Sequence, residues 1–263
     1  MYQVGTPGAD RKADKLATTN KELDSRGLVI NVKRFKIIYT LYIICIVLLV
    51  VNLVSIYLDK VLQMRSSFVN ALVYYFDAGK EQSIPTLFSS LLLFISSLLL
   101  FSIYTIQARN KKKNRKGWLF LAGLFIFLLL DEAAGIHEQF NRLRPLINDT
   151  SGAFYYAWII PYAILALVIG LGMLRFLLDQ PPQTRNMFIV SGSVYILAAA
   201  GFEIFEGVSS VQSGVGNLND KLLTAGEEFL EMIGITLFIQ TLFQYISRYN
   251  VCFAIPQHPE PRG

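Results

Sequence analysis

Between residues 36 and 247 the chain alternates six long apolar runs with short polar segments. The first run, 36–58, reads KIIYTLYIICIVLLVVNLVSIYL, and the others cover 86–107, 117–140, 154–178, 186–207 and 222–247. About 20 predominantly apolar residues suffice for a helix to cross the hydrocarbon core, so each run predicts one transmembrane helix. The runs are continuous rather than alternating with a period of two, which argues against a barrel. The expected fold class is therefore all-α, a polytopic transmembrane bundle of six helices over 36–248, with polar tails at 1–35 and 249–263. Between the first two runs, VLQMRSSFVNALVYYF predicts an amphipathic helix lying on the membrane. In the second run, Ser89, Ser90, Ser96 and Ser97 form a small-residue stripe suited to helix packing.

Composition agrees with this class. Of 263 residues, 53% are hydrophobic, and the mean hydropathy is +0.45, well above a soluble domain of this length. The net charge of +5 changes the picture only through its placement. Eighteen of the 24 Lys and Arg residues lie on one side, in the N-terminal tail, the 108–117 loop (ARNKKKNRKG), the 175–185 region and the C-terminal tail. Six lie on the other: Lys60, Arg65, Lys80, Arg142, Arg144 and Lys221. The positive-inside rule puts the richer side, and with it both termini, in the cytoplasm. Topology thus accounts for the basic residues without nucleic acid, and the lipid bilayer is the expected partner. Cys45 lies in the first run and Cys252 in the C-terminal tail, so neither a disulfide framework nor a cysteine metal motif is expected. The first run is read as an uncleaved anchor, because the polar stretch before it is too long for a signal peptide.

The chemistry lies where the apolar runs end. LLLDEAAGIHEQF brings Asp131, Glu132, His137 and Glu138 to the end of the third run. GFEIFEG supplies Glu203 and Glu206 on the fifth, and GEEFLEMIG supplies Glu227, Glu228 and Glu231 on the sixth. At about 1.5 Å per residue, Asp131 is about 21 Å along its helix and Glu203 about 27 Å along its own. With alternating directions, three helices carry acids to one level, the outer edge of the membrane. Eight of the 19 acids belong to this set, and a carboxylate near a helix centre costs roughly 2.5–3.5 kcal/mol on insertion scales. Three compensations are open: bound protons, pairing with Arg142, Arg144 or Lys221, or a bound cation. Glu227, Glu228 and Glu231 share one face of a regular helix, as do Glu203 and Glu206. On the third helix Asp131 and Glu138 share a face while Glu132 and His137 point to either side, which favours Glu138 and His137 over Glu132. Gly135, Gly201, Gly207, Gly226 and Gly234 predict close helix approach. Asp77 and Glu81 read as loop residues outside.

One imidazole with several carboxylates suits Fe, Mn or Zn better than Ca or Mg. The candidate metal ligands are His137, Glu203, Glu206, Glu227, Glu228 and Glu231, with Asp131, Glu132 and Glu138 as ligands or supports. The pairs of Glu-x-x-His expected of a di-iron bundle are missing, because His137 is the one histidine in the runs and His258 lies in the tail.

FDAGKEQSIPTLFSS, LLLDEAAGIHEQF and EEFLEMIG together resemble a family of bacterial polytopic, six-helix membrane proteins of no established function. The resemblance covers roughly 76–245 and implies six helices in a bacterial inner (plasma) membrane, without naming a chemistry. EEFLE also resembles the Glu-Glu-x-x-x-Arg helix of CAAX-type proteases, but Glu231 stands in the arginine position and the later histidine motifs are missing. The leading expectation is a carboxylate-rich, metal-binding site near the outer face. A redox or Lewis-acid metal there opens oxidoreductase or hydrolase chemistry on a lipid-soluble small molecule. The alternatives are a proton- or cation-coupled transporter and a non-catalytic membrane assembly subunit. The apolar inner halves of the third, fifth and sixth runs weigh against transport. The sequence leaves enzyme status, substrate and oligomeric state open.

Overall fold

A computed structural model describes residues 35–141 and 155–248. Chain contacts divide the protein into Met1–Thr40 and Leu41–Gly263. Of the first unit, residues 35–40 are described and are helical; the bundle belongs to the second. Apart from Phe35, the expected tails, with Cys252 and His258, lie outside the described residues, as do Arg142 and Arg144.

The described residues are almost wholly helical and include no strand. Six helices are long and apolar enough to cross a membrane: α1 (Phe35–Val61), α3 (Ile84–Arg109), α4 (Arg115–Ala134), α6 (Ile159–Leu178), the span Pro182–Ser213 and α9 (Leu218–Arg248). A short helix α2 (Ser67–Phe76) follows α1, and one of four residues, α5 (Ile136–Gln139), follows α4. The fifth span has three parts: α7 (Pro182–Ile196), a π-helical turn (Leu197–Phe202) and α8 (Glu203–Ser213). This is the expected all-α six-span architecture.

The local sequence explains where helices begin and end. Ser66 caps α2 by accepting from the Val69 N–H at 3.2 Å. Ser83 caps α3 by accepting from the Thr86 N–H at 3.3 Å, with Pro85 in the first turn, where its missing N–H costs nothing. α4 stops at Gly135, whose left-handed backbone (φ 53°, ψ 43°) ends the helix. The third run is expected from its hydropathy to continue to 140 as one helix; instead the chain turns a corner here and restarts as α5.

Packing is closest where side chains are smallest. Ser89, Ser90, Ser96 and Ser97 are all buried on α3, and the Ser97 hydroxyl donates across to the Ala122 carbonyl of α4 at 2.9 Å. A Cβ on Gly234 of α9 would lie 3.0 Å from the Tyr195 nitrogen and 3.2 Å from the Ser191 carbonyl oxygen, so α7 and α9 meet backbone to backbone. Gly226 faces the Phe202 ring, whereas nothing lies near a Cβ placed on Gly201; that glycine does not serve close approach. α9 is the most enclosed span, while α6 leaves Leu167, Val168 and Leu171 exposed, as a helix against lipid requires.

The half of the bundle nearest the 110–114 turn is filled by aromatic packing. Trp118, 2% exposed, meets Phe176 at 5.2 Å, Phe188 at 6.0 Å and Tyr245 at 4.7 Å between ring centres. Leu100, Ile103, Phe238 and Leu242 complete this core. The Tyr245 hydroxyl accepts from the Gln107 side chain at 3.0 Å. Gln240, the main polar residue expected in the inner half of α9, accepts from the Tyr42 hydroxyl at 2.9 Å.

Candidate functional site

At the other end, where α4 and α8 finish and α3, α6 and α9 start, the chain encloses a cavity of about 300 Å³. The turn at 78–81, both sides of the α4–α5 corner, the approach to α6, the π-helical turn, α8 and the first turns of α9 all reach it.

The corner at Gly135 sets the geometry of its first wall. In a regular helix residues 131 and 137 lie about 240° apart around the axis, on different faces. The break brings them together. Asp131 Oδ1 accepts from the His137 backbone N–H at 2.9 Å, and Asp131 Oδ2 lies 3.2 Å from His137 Nδ1. The Tyr162 hydroxyl of α6 donates to Asp131 Oδ1 at 2.7 Å. The His137 ring packs edge-on against Trp158, 5.0 Å between centres, and Trp158 Nε1 donates to Glu203 Oε1 at 3.1 Å. Asp131, Glu132, His137 and Glu203 all line the cavity. The expectation that Glu132 points away rests on an unbroken helix, which the structure does not have. The Glu138 side chain, and hence its expected pairing with Arg142, lies outside the described residues.

α8 and α9 form the opposite wall with Glu206, Glu227, Glu228 and Glu231. Glu206, Glu227 and Glu231 are each at most 9% exposed. Oε1 of Glu206 is enclosed with no hydrogen-bond partner among the described residues, as are Oε1 of Glu132 and Oε2 of Glu228. Among charged groups, Glu132 acts most strongly on Glu228, across the α4–α9 interface. Tyr195 and Tyr156 add phenols to the lining. Burial pushes the Tyr156 phenol above its ordinary value, and the nearby Glu203 and Glu206 carboxylates add to the effect.

Two lysines stand at the mouth, both engaged by one aspartate. Lys221 Nζ donates to Asp77 Oδ1 at 3.0 Å and Oδ2 at 2.8 Å. Lys80 Nζ lies 3.7 Å from Asp77 Oδ2 and donates to the Val73 carbonyl at 3.3 Å. The sequence offers Lys221 as a partner for the helical carboxylates; its described ion pair is instead with Asp77, pinning the turn at 77–83 to α9. Asp220 is used locally: its Oδ2 accepts from Ser210 at 3.0 Å and from the Gly216 N–H at 2.9 Å, which closes the α8–α9 turn.

Eight of the nine sequence-predicted site residues thus line one cavity, the ninth being Glu138. The sequence reading missed Glu81, Lys80, Tyr156, Trp158, Tyr162 and Tyr195. Trp158 and Tyr162, four apart at the outer end of the fourth run, carry a legible signal, a shared helical face. The described residues include no set of three His, Cys, Asp or Glu side chains already gathered for a metal ion.

Residues 41–245 match the family model described as Domain of unknown function (DUF8692), and the chain belongs to that family. No curated protein and no solved structure matches it.

Proposed function

We propose that this DUF8692 member binds a divalent metal ion in the cavity, Fe, Mn or Zn in preference to Ca or Mg because an imidazole accompanies the carboxylates. The ligands are drawn from His137, Glu132, Glu203, Glu206, Glu227, Glu228 and Glu231. The observation that supports this best is the charge imbalance of an enclosed space. Nine acids line the cavity against two lysines, and both lysines are engaged by Asp77, while enclosed oxygens of Glu132, Glu206 and Glu228 lack hydrogen bonds among the described residues. Taking an ionised carboxylate out of water without a partner costs several kcal/mol, and a cation offsets that cost for several groups at once. The ligating atoms are not gathered around one point, so binding draws the flexible glutamates inward.

A single ion with bonds of about 2.0–2.3 Å fills only part of 300 Å³. The remaining space, walled by Trp158 and three tyrosines, suits a lipid-soluble organic molecule beside the metal, and hydrolysis or oxidation of such a molecule is the activity we assign. Under the positive-inside orientation the cavity faces the exterior of a bacterial inner membrane. The Trp118 core between the cavity and the 110–114 turn favours binding at one face over passage through the bundle.

Metal analysis of the protein purified in mild detergent tests the reading. Stoichiometric Fe, Mn or Zn is expected in the native chain and not in the Glu227→Gln, Glu231→Gln double variant. Native protein that carries no metal and takes up neither added Mn²⁺ nor Zn²⁺ overturns it.

A further inference from the structure

We infer that Asp131 and Tyr162 are positioning residues that hold His137 as a neutral imidazole with its proton on Nδ1 and its lone pair, on Nε2, available to the cavity. The inference deepens the metal reading and, where it concerns affinity, rests on it.

The geometry carries it. Asp131 is 7% exposed, and both its oxygens are directed at the α4–α5 corner. Oδ1 receives the His137 backbone N–H and the Tyr162 hydroxyl, and Oδ2 faces His137 Nδ1. A carboxylate so occupied is poorly placed to coordinate an ion as well, so Asp131 leaves the ligand set and becomes the group behind the ligand. A carboxylate at Nδ1 selects the tautomer with Nδ1–H, which leaves Nε2 as the donor nitrogen. Trp158 and Tyr162 pack edge-on to the ring at 5.0 and 6.2 Å, limiting its rotation. None of this survives in an unbroken helix: the left-handed Gly135 makes the Asp131–His137 contact possible.

The chain has two histidines, His137 and His258, so ¹⁵N-histidine labelling gives signals from two rings, assigned with His137→Gln. In the metal-free protein at about pH 8, above the ordinary histidine value of about 6.5, His137 is expected as the neutral Nδ1–H tautomer. Asp131→Asn is expected to redistribute the ring proton and to weaken Mn²⁺ or Zn²⁺ binding about 10- to 100-fold. Tyr162→Phe, which keeps the carboxylate, is expected to keep the tautomer and weaken binding less. A doubly protonated ring or an Nε2–H tautomer in the native protein overturns the inference. So does an Asp131→Asn protein with unchanged ring signals and affinity, in which case the metal reading stands. Native protein with the Nδ1–H tautomer and no metal affinity overturns the metal reading and leaves the positioning role supported.

Discussion

The Glu81 carboxylate lies directly over Gly135, in the space a Cβ on that residue would fill. The turn before α3 and the corner after α4, 54 residues apart in the chain, therefore interlock at the cavity, and the side chain missing at 135 is what lets them. Gly135→Ala meets two penalties: steric overlap with Glu81, and a left-handed backbone that costs an L-residue roughly 1–2 kcal/mol. Thermal unfolding in detergent is expected to show a marked loss for Gly135→Ala. Combining it with Glu81→Ala should restore part of that loss, leaving the backbone share. Equal losses in both backgrounds would remove Glu81 from the account.

The Asp77–Lys221 pair predicts how the turn at 77–83 is held. The lysine side chain is 24% exposed and the aspartate 9%, so the pair lies between a surface bridge, worth under about 1 kcal/mol, and a fully buried one. Lys221→Met is expected to destabilise by about 1–2 kcal/mol and to open the turn to protease. Adding Asp77→Asn should recover part of the loss, because the unpaired charge is then gone.

Gly234 and Gly201 provide a matched comparison within the bundle. Gly234→Ala drives a methyl into the α7 backbone and is expected to cost roughly 1–3 kcal/mol, the range for overpacking. Gly201→Ala meets open space and is expected to be neutral or mildly stabilising. Melting temperatures of the two variants under one detergent condition decide between them.

Tyr156 predicts alkaline behaviour. Its phenol is pushed above the ordinary value of 10.0 by burial first and by Glu203 and Glu206 next. The folded chain therefore keeps a proton that the unfolded chain loses as pH rises past 10.0, and stability falls from there upward. Below that pH the residue contributes no slope. Tyr156→Phe should flatten this share of the alkaline loss, read as the difference between native and variant melting temperatures across that range.

The six spans and the common level of their acids were legible because hydropathy and helical rise are local properties, and Glu227, Glu228 and Glu231 followed from the periodicity of one unbroken helix. The relation of Asp131 to His137 did not follow, because it depends on a left-handed glycine whose conformation periodicity ignores. The face assigned to Glu132 was wrong for the same reason. Asp77, Lys80 and Glu81 looked like ordinary loop residues; only the fold brings their turn against α9. Trp158 and Tyr162 carry no charge to single them out in a membrane segment, and their contribution is a hydrogen-bonding edge on an aromatic wall.

The π-helical turn at Leu197–Phe202 governs how the chain tolerates changes of length. Such a turn accommodates an additional residue within a helix. Removing any one of Ala198, Ala199 or Ala200 would let the span wind regularly and swing everything after it by about 100°. Glu203 and Glu206 would then look out at the bilayer, although every chemically active residue was still present. A single-codon deletion among three plain alanines is thus expected to be more damaging than many substitutions of the acids themselves.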